Sequence, residues 1–220
     1  MVTAKPIIKQ VDHIIIRVDD SSSDQLFALF SDTFQLPVAW PLASYTSFVS
    51  GGISRLWTHA SSNTAASTRG GTIVFDHVYH DGMILLCEYN KELHDVEQAR
   101  AADHATLDSR QGGPLGLEAI QEIIVGVTDL AAVEPLWQIL LAPTAPSSPG
   151  FWQIGKGPAI RLIRHARNGP QALVWKVASL EQAKQFLSEK GLLGTVLEQQ
   201  ITIAPSKVQG LDIRLVEGAK

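Results

Sequence analysis

A single cysteine, Cys87, in 220 residues leaves no partner for a disulfide within the chain and no thiolate set for a Cys-based zinc site. Its setting, "MILLCEYN", suits a buried strand thiol. Charge of one sign is also scarce. The 18 basic and 22 acidic residues leave a net charge of −4 with no basic block, which argues against a nucleic-acid partner. No apolar run approaches the ~18 residues of a membrane span. The opening "MVTAKPIIKQ" lacks the long apolar stretch of a signal peptide. No membrane partner and a cytoplasmic location are therefore expected. Gly-x-Ser-x-Gly elbows, phosphate loops and dinucleotide fingerprints are missing too. The glycine-rich "GKGPAI" lies between predicted strands with no helix behind it, so it is not read as a phosphate cradle.

What the chain does have is a hydrophobic fraction of 45%, enough for a substantial core, and a repeated order of elements. "HIIIRV" reads as a strand. Ser21 to Ser23 and Asp24 offer caps to a helix whose apolar face is Leu26, Phe27, Phe30 and Phe34, ending before Pro37. "YTSFVSGG" reads as another strand, and "THASSNTAASTRGG" as a polar surface loop. "TIVFDHVYH" and "GMILLCEYN" read as strands, with Asp81-Gly82 as a hairpin turn. A connecting helix is expected from about Lys91 to Leu107, and "DSRQGGPLG" breaks the pattern.

The order then restarts. "IQEIIVGV" is a predicted strand, and Leu130, Val133, Leu136, Trp137 and Leu140 mark a helix. After the proline-rich "APTAPSSPG", "FWQIGKGPAIRLI" gives two strands joined at Gly155 and Gly157. "QALVWKVA" starts the order once more. Ser179 with Gln182 predicts a capping box, and Gly191 a helix stop. "ITIAPSKVQGLDIRLVE" gives two closing strands. The restart shows in residues as well: "VDHIIIRVDD" can be laid on "IQEIIVGVTD", and "GPAIRLI" on "GLDIRLV". Such repetition argues for a duplicated supersecondary unit in an α+β fold.

On "VDHIIIRVDD", "FQLPVAWP", "FVSGG", "LLCEYN" and "GLDIRLVE", taken in that order and spacing, the sequence resembles the vicinal oxygen chelate superfamily. This is the glyoxalase, bleomycin-resistance and extradiol dioxygenase group. The resemblance implies repeated βαβββ modules whose curved mixed sheets enclose a cleft. It divides the chain into residues 1–110, an abbreviated N-terminal half, and 111–220, a unit of two consecutive modules. In metal-dependent relatives, a His or Glu of a module's first strand and a Glu of its last strand join in binding a divalent ion. By that resemblance His13 matches a first-strand ligand, and Glu88 lies near the last-strand carboxylate. Glu122 and Glu217 are the corresponding carboxylates of the second half. There Arg161 and Arg164 stand where a further carboxylate would be wanted, and a guanidinium would pair with the two acids instead.

Other readings compete. His13 can equally be a strand residue bonded to neighbouring backbone. His77 and His80, three apart on a strand, face opposite sides. His94 and His104 fall on a polar helix face, and His165 at a strand end. Trp40, Phe48 and Trp57 in one half, with Phe151, Trp152 and Trp175 in the other, lie on or beside predicted cleft strands. They are candidates for binding an apolar or planar ligand, with core packing as the ordinary alternative.

The expected activity is metal-independent binding of a small molecule, with no cofactor. The alternatives are a divalent-metal-dependent lyase, isomerase or dioxygenase using His13 and Glu88, and an interaction protein with a vestigial cleft. A homodimer is expected, because an abbreviated half-sheet leaves an apolar face to cover.

Overall fold

A computed structural model describes residues 11, 14, 20–38, 72–75, 84–87 and 96–218. Helix α1 (Asp20–Ala28) runs into a single π-helical turn, Leu29–Thr33. The serines expected to cap it lie within its first turn instead. It stops before Pro37: Gln35 takes a positive φ of 57°, and Leu36 N–H donates to Phe30 O. Strands β1 (Thr72–Phe75) and β2 (Ile84–Cys87) pair antiparallel. The expected Asp81-Gly82 turn between them lies outside the described residues. Helix α2 (Val96–Ser109) then leads to the sequence break. Its end is closed by hydrogen bonds from Gln111 N to Asp108 O and from Gly112 N to Leu107 O. Gly112 has φ 76°, and a Cβ there would lie 2.3 Å from Leu117 N, so the reversal into the sheet requires glycine.

The rest of the chain builds one open, seven-stranded mixed sheet. Its elements are β3 (Leu117–Val127), α3 (Leu130–Leu141), β4 (Phe151–Gln153), β5 (Ala159–Arg164), β6 (Gly169–Val177), α4 (Leu180–Glu189), β7 (Leu193–Val196), β8 (Ile201–Ile203) and β9 (Asp212–Glu217). The strand order is β4-β5-β3-β6-β9-β8-β7. β3 and β6 pair antiparallel at the centre, β5 lies parallel to β3, and β9 lies parallel to β6. Each half thus repeats strand, helix and returning strands about a pseudo-twofold axis between β3 and β6.

The two halves are not equal. β7 was not evident as a strand in "GLLGTV", where glycine interrupts a short apolar run. It exists because Gly194 permits close approach: a Cβ there would sit 2.5 Å from Thr202 Oγ1. The first half has no strand equivalent to β7. The corresponding segment contains Pro143, Pro146 and Pro149, which have no N–H to offer a ladder. Only one bridge, Ser148 to Phe151, remains there.

Local chemistry fixes the helices. Asp129 accepts from Ala132 N at 3.1 Å and Ser179 from Gln182 N at 3.3 Å, each satisfying an orphan donor. Only half of the expected capping box forms, because Gln182 Nε2 donates to Pro114 O. Gly191, at φ 65°, ends α4 with Leu192 N donating to Leu187 O and Gly191 N to Ser188 O.

The four described helices place their buried side chains on one face of the sheet. Trp137 and Leu141 of α3 meet Ile123, Val125 and Leu162. Leu26 of α1, Leu107 of α2, and Ala183 and Leu187 of α4 meet Val177, Ile213 and Leu215. Val11 and Ile14 pack against the first of these clusters. No helix among the described residues is long and apolar enough to cross a membrane.

Candidate ligand-binding site

Strand registers identify what occupies the opposite face. Ile124 pairs with Ala172 across the central strands and with Arg161 of β5. Val174 pairs with Glu122 and with Arg214 of β9. Ile124, Ala172 and Val174 form a small apolar cluster joined by Ile163 and Val216. Above this floor lies an open cleft of about 850 Å³, walled by Arg161, Arg214, Glu122 and Glu217 and rimmed by Gln121 and Glu198 to Gln200.

The charged walls are organised in pairs. Arg161 meets Glu122 edge to edge, Nε to Oε1 at 2.5 Å and Nη2 to Oε2 at 2.9 Å. Glu122 is buried at 9% exposure, so a two-pronged partner is what makes its burial tolerable. Arg161 also lies over the Phe151 ring at 4.4 Å, a cation–π contact that fixes the guanidinium plane. Arg214 forks onto Asp212 in the same way, Nη2 to Oδ2 at 2.6 Å and Nε to both oxygens at 3.1 Å. The hydrogen bond that Arg161 donates to Glu122 holds its guanidinium above its ordinary pKa, outweighing the opposing effect of burial. Asp212 does the same for Arg214, and the Glu122 charge adds a weaker contribution. Both guanidiniums are therefore cationic at any working pH.

Glu217 has a different role. Its Oε2 accepts the N–H of Leu180 at 3.0 Å, at the start of α4, where a carboxylate complements the helix dipole.

Of the residues singled out in the sequence, Trp152 and Trp175 belong to the helix-packed core rather than to this cleft. Trp152 is fully buried and stacks on Trp137 at 6.4 Å between ring centres. Trp175 is 4% exposed and packs between Phe30 at 6.0 Å and Phe34 at 6.2 Å. Strand alternation gives the reason: Phe151 and Trp152 must face opposite ways, and it is Phe151 that shares the face of Arg161. His13, Trp40, Phe48, Trp57, His77, His80, Glu88 and His94 lie outside the described residues. His104 is exposed on α2. His165 Nδ1 is 3.2 Å from both the N and the O of Arg167 at the β5–β6 turn.

The two carboxylates singled out in the second half already have partners. Both Glu122 oxygens are taken by Arg161, and Glu217 is committed to a helix end. No cluster of three His, Cys, Asp or Glu side chains with metal-holding geometry occurs among the described residues. The residues not singled out beforehand are Arg214 and Asp212. The signal for Arg214 was present, since laying "GPAIRLI" on "GLDIRLV" aligns it with Arg161.

The pseudo-twofold, with its antiparallel central pair and parallel flanking strands, decides the architecture. The sheet is the α+β arrangement of two successive modules, each a strand, a helix and returning strands, that the sequence resemblance implied for residues 111–220. No sequence-family model matches the chain, and no curated protein does. Among solved structures, the chain is similar to methylmalonyl-CoA epimerase from Mycobacterium tuberculosis, with 18% identity and a TM-score of 0.38 over 47% of this chain and 90% of that one. A hypothetical protein of Bacillus halodurans matches with 17% identity and a TM-score of 0.38, over 46% of this chain and 94% of that one. A Streptomyces coelicolor methylmalonyl-CoA epimerase in complex with 2-nitronate-propionyl-CoA matches at 14% and 0.38, over 47% and 99%.

Proposed function

We propose that this protein binds a small molecule on the open face of its C-terminal sheet, without a metal ion. The observation that carries this reading is the build of that face. Ile124, Ile163, Val174 and Val216 form an apolar floor, and two guanidinium–carboxylate pairs stand over it. An apolar floor with a few fixed polar groups is the usual form of a small-molecule site. Metal independence is supported by the carboxylates themselves, because both Glu122 oxygens and one Glu217 oxygen are already engaged. The metal-dependent alternative rests on His13 and Glu88, which lie outside the described residues, as do the ligand-binding candidates Trp40, Phe48 and Trp57.

A thermal-shift screen of a metabolite library, run with and without EDTA and accompanied by elemental analysis, tests the reading. It expects ligands that raise Tm equally in both conditions and protein without a stoichiometric divalent ion. Stabilisation that vanishes with EDTA, restored by one metal per chain, would establish the alternative.

A further inference from the structure

We propose that the outer face of α3 docks a second copy of this chain, through an uncharged surface centred on Ile139. The observation is a helix with nothing polar to set against water. α3 exposes Ala131, Ala132, Pro135, Leu136 and Ile139, the last two at 43% and 73%. A surface helix ordinarily sets charged or polar residues opposite its buried stripe. Here both polar side chains turn to the chain itself. Glu134 Oε1 accepts Gly150 N–H at 2.8 Å, and Gln138 Nε2 donates to Thr144 O at 3.3 Å. The surface continues past the helix, and from Ala131 to Pro149 no exposed residue carries a charge.

The other half of the repeat is built differently. α4 holds the equivalent place and exposes Glu181, Gln182, Gln185, Ser188 and Glu189. Both helices lie in the same layer on the same sheet. Position in the fold therefore does not call for an apolar outer face on α3.

The lack of charge suits a copy of the same chain. In a twofold contact one patch meets itself, and an uncharged patch does so without repulsion. Depletion of charge marks the core of an interface, and homodimer faces are more apolar than those between separate proteins. A different protein would find no charge there to steer it. Strand addition is not the mode. Beside β4, where the second half has β7, stand Pro143, Pro146 and Pro149, which have no N–H to pair. The contact is helix against helix, through side chains. Twelve residues of helix span about 18 Å. With the loop they fall short of the ~20–30 residues a side of a standard interface, so the dimer should dissociate on dilution. α3 packs behind the sheet, and the cleft stays open in such a dimer.

Sedimentation velocity of the full chain over a concentration series tests this. The wild type is expected to pass from monomer to dimer as concentration rises. Ile139→Lys should raise the dissociation constant by roughly tenfold or more, because it buries two like charges at the contact. Ser188→Lys, the same change of charge on α4, should leave it within about twofold. A wild-type chain that stays monomeric throughout would overturn the proposal; if Ile139→Lys then also lowers Tm sharply, α3 is covered by the chain itself. A dimer that Ile139→Lys leaves intact, or that Ser188→Lys weakens equally, would overturn it too and place the contact elsewhere.

Discussion

Arg161 and Arg214 occupy one position in two halves of a repeat. Each lies one strand outward from the central antiparallel pair, Arg161 opposite Ile124 and Arg214 opposite Val174, and each forks onto a carboxylate. Their partners differ: Glu122 comes from the neighbouring strand, whereas Asp212 lies two residues back on the same strand. That difference predicts unequal consequences when each pair is broken.

Removing Arg161 strands a buried carboxylate. Fully buried pairs cost about 3–5 kcal/mol when one member is lost, but the Arg161 side chain is 41% exposed, so solvent offsets part of this. Arg161→Met is expected to cost about 1–2 kcal/mol. The double variant with Glu122→Gln should lose less than the sum of the two single variants. Arg214→Gln, whose partner Asp212 is only half-buried, should cost under about 1 kcal/mol. Urea denaturation of the four proteins checks the order.

Glu217 closes the final strand and also starts a helix. Glu217→Gln removes the charge that faces the first turn of α4, and is expected to cost about 0.5–1 kcal/mol, diminishing in high salt. Ser179→Ala removes the acceptor for Gln182 N and should cost about 1 kcal/mol irrespective of salt. Thermal unfolding at low and high ionic strength separates the two contributions.

At the far end of β3, Gly126 has no room for a side chain. A Cβ there would meet His165 Cβ at 2.7 Å and the Arg167 carbonyl oxygen at 2.8 Å. The β5–β6 turn, anchored by Asn168 Oδ1 accepting from Thr128 N at 2.8 Å, must shift to admit it. Gly126→Ala is therefore expected to lower stability by about 1–3 kcal/mol, as measured by chemical denaturation.

Trp175 tests the assignment of faces. Trp175→Ala opens a cavity among Phe30, Phe34 and Val177 and is expected to cost about 3–5 kcal/mol. Trp175→Phe, a milder change, should lower Tm while leaving affinity for a cleft ligand within about twofold, since the ring lies behind the sheet. A variant that keeps its Tm but loses the ligand would put Trp175 in the site after all.

Much of this sheet was legible because periodicity and punctuation agree. "QALVWKVA" is central in the sheet, and Gly191 and Ser179 mark the ends of α4 through chemistry that acts locally. β7 was not legible, since its pairing depends on Gly194 admitting Thr202 from the next strand, a contact that the short, glycine-interrupted run does not itself signal. Nor was the direction of the tryptophans. Strand alternation separates Phe151 from Trp152 but does not say which of them faces a helix. α3 settles that by stacking Trp137 on Trp152. The pairing of Glu122 by a guanidinium was anticipated from composition at the strand ends. The matching Arg214 was hidden only because its repeat was read as a strand pattern rather than as a chemical one.

The central claim is that the face carrying Ile124, Val174, Arg161 and Arg214 is the ligand site. Amide chemical-shift mapping on labelled protein, titrated with the tightest hit of the library screen, tests it most directly. The account predicts the largest shifts at Ile124, Arg161, Val174, Arg214 and Val216, with little change at Trp137, Ala183 and Leu187 behind the sheet. Shifts confined to the helix-packed face, or to residues preceding Leu117, would contradict it.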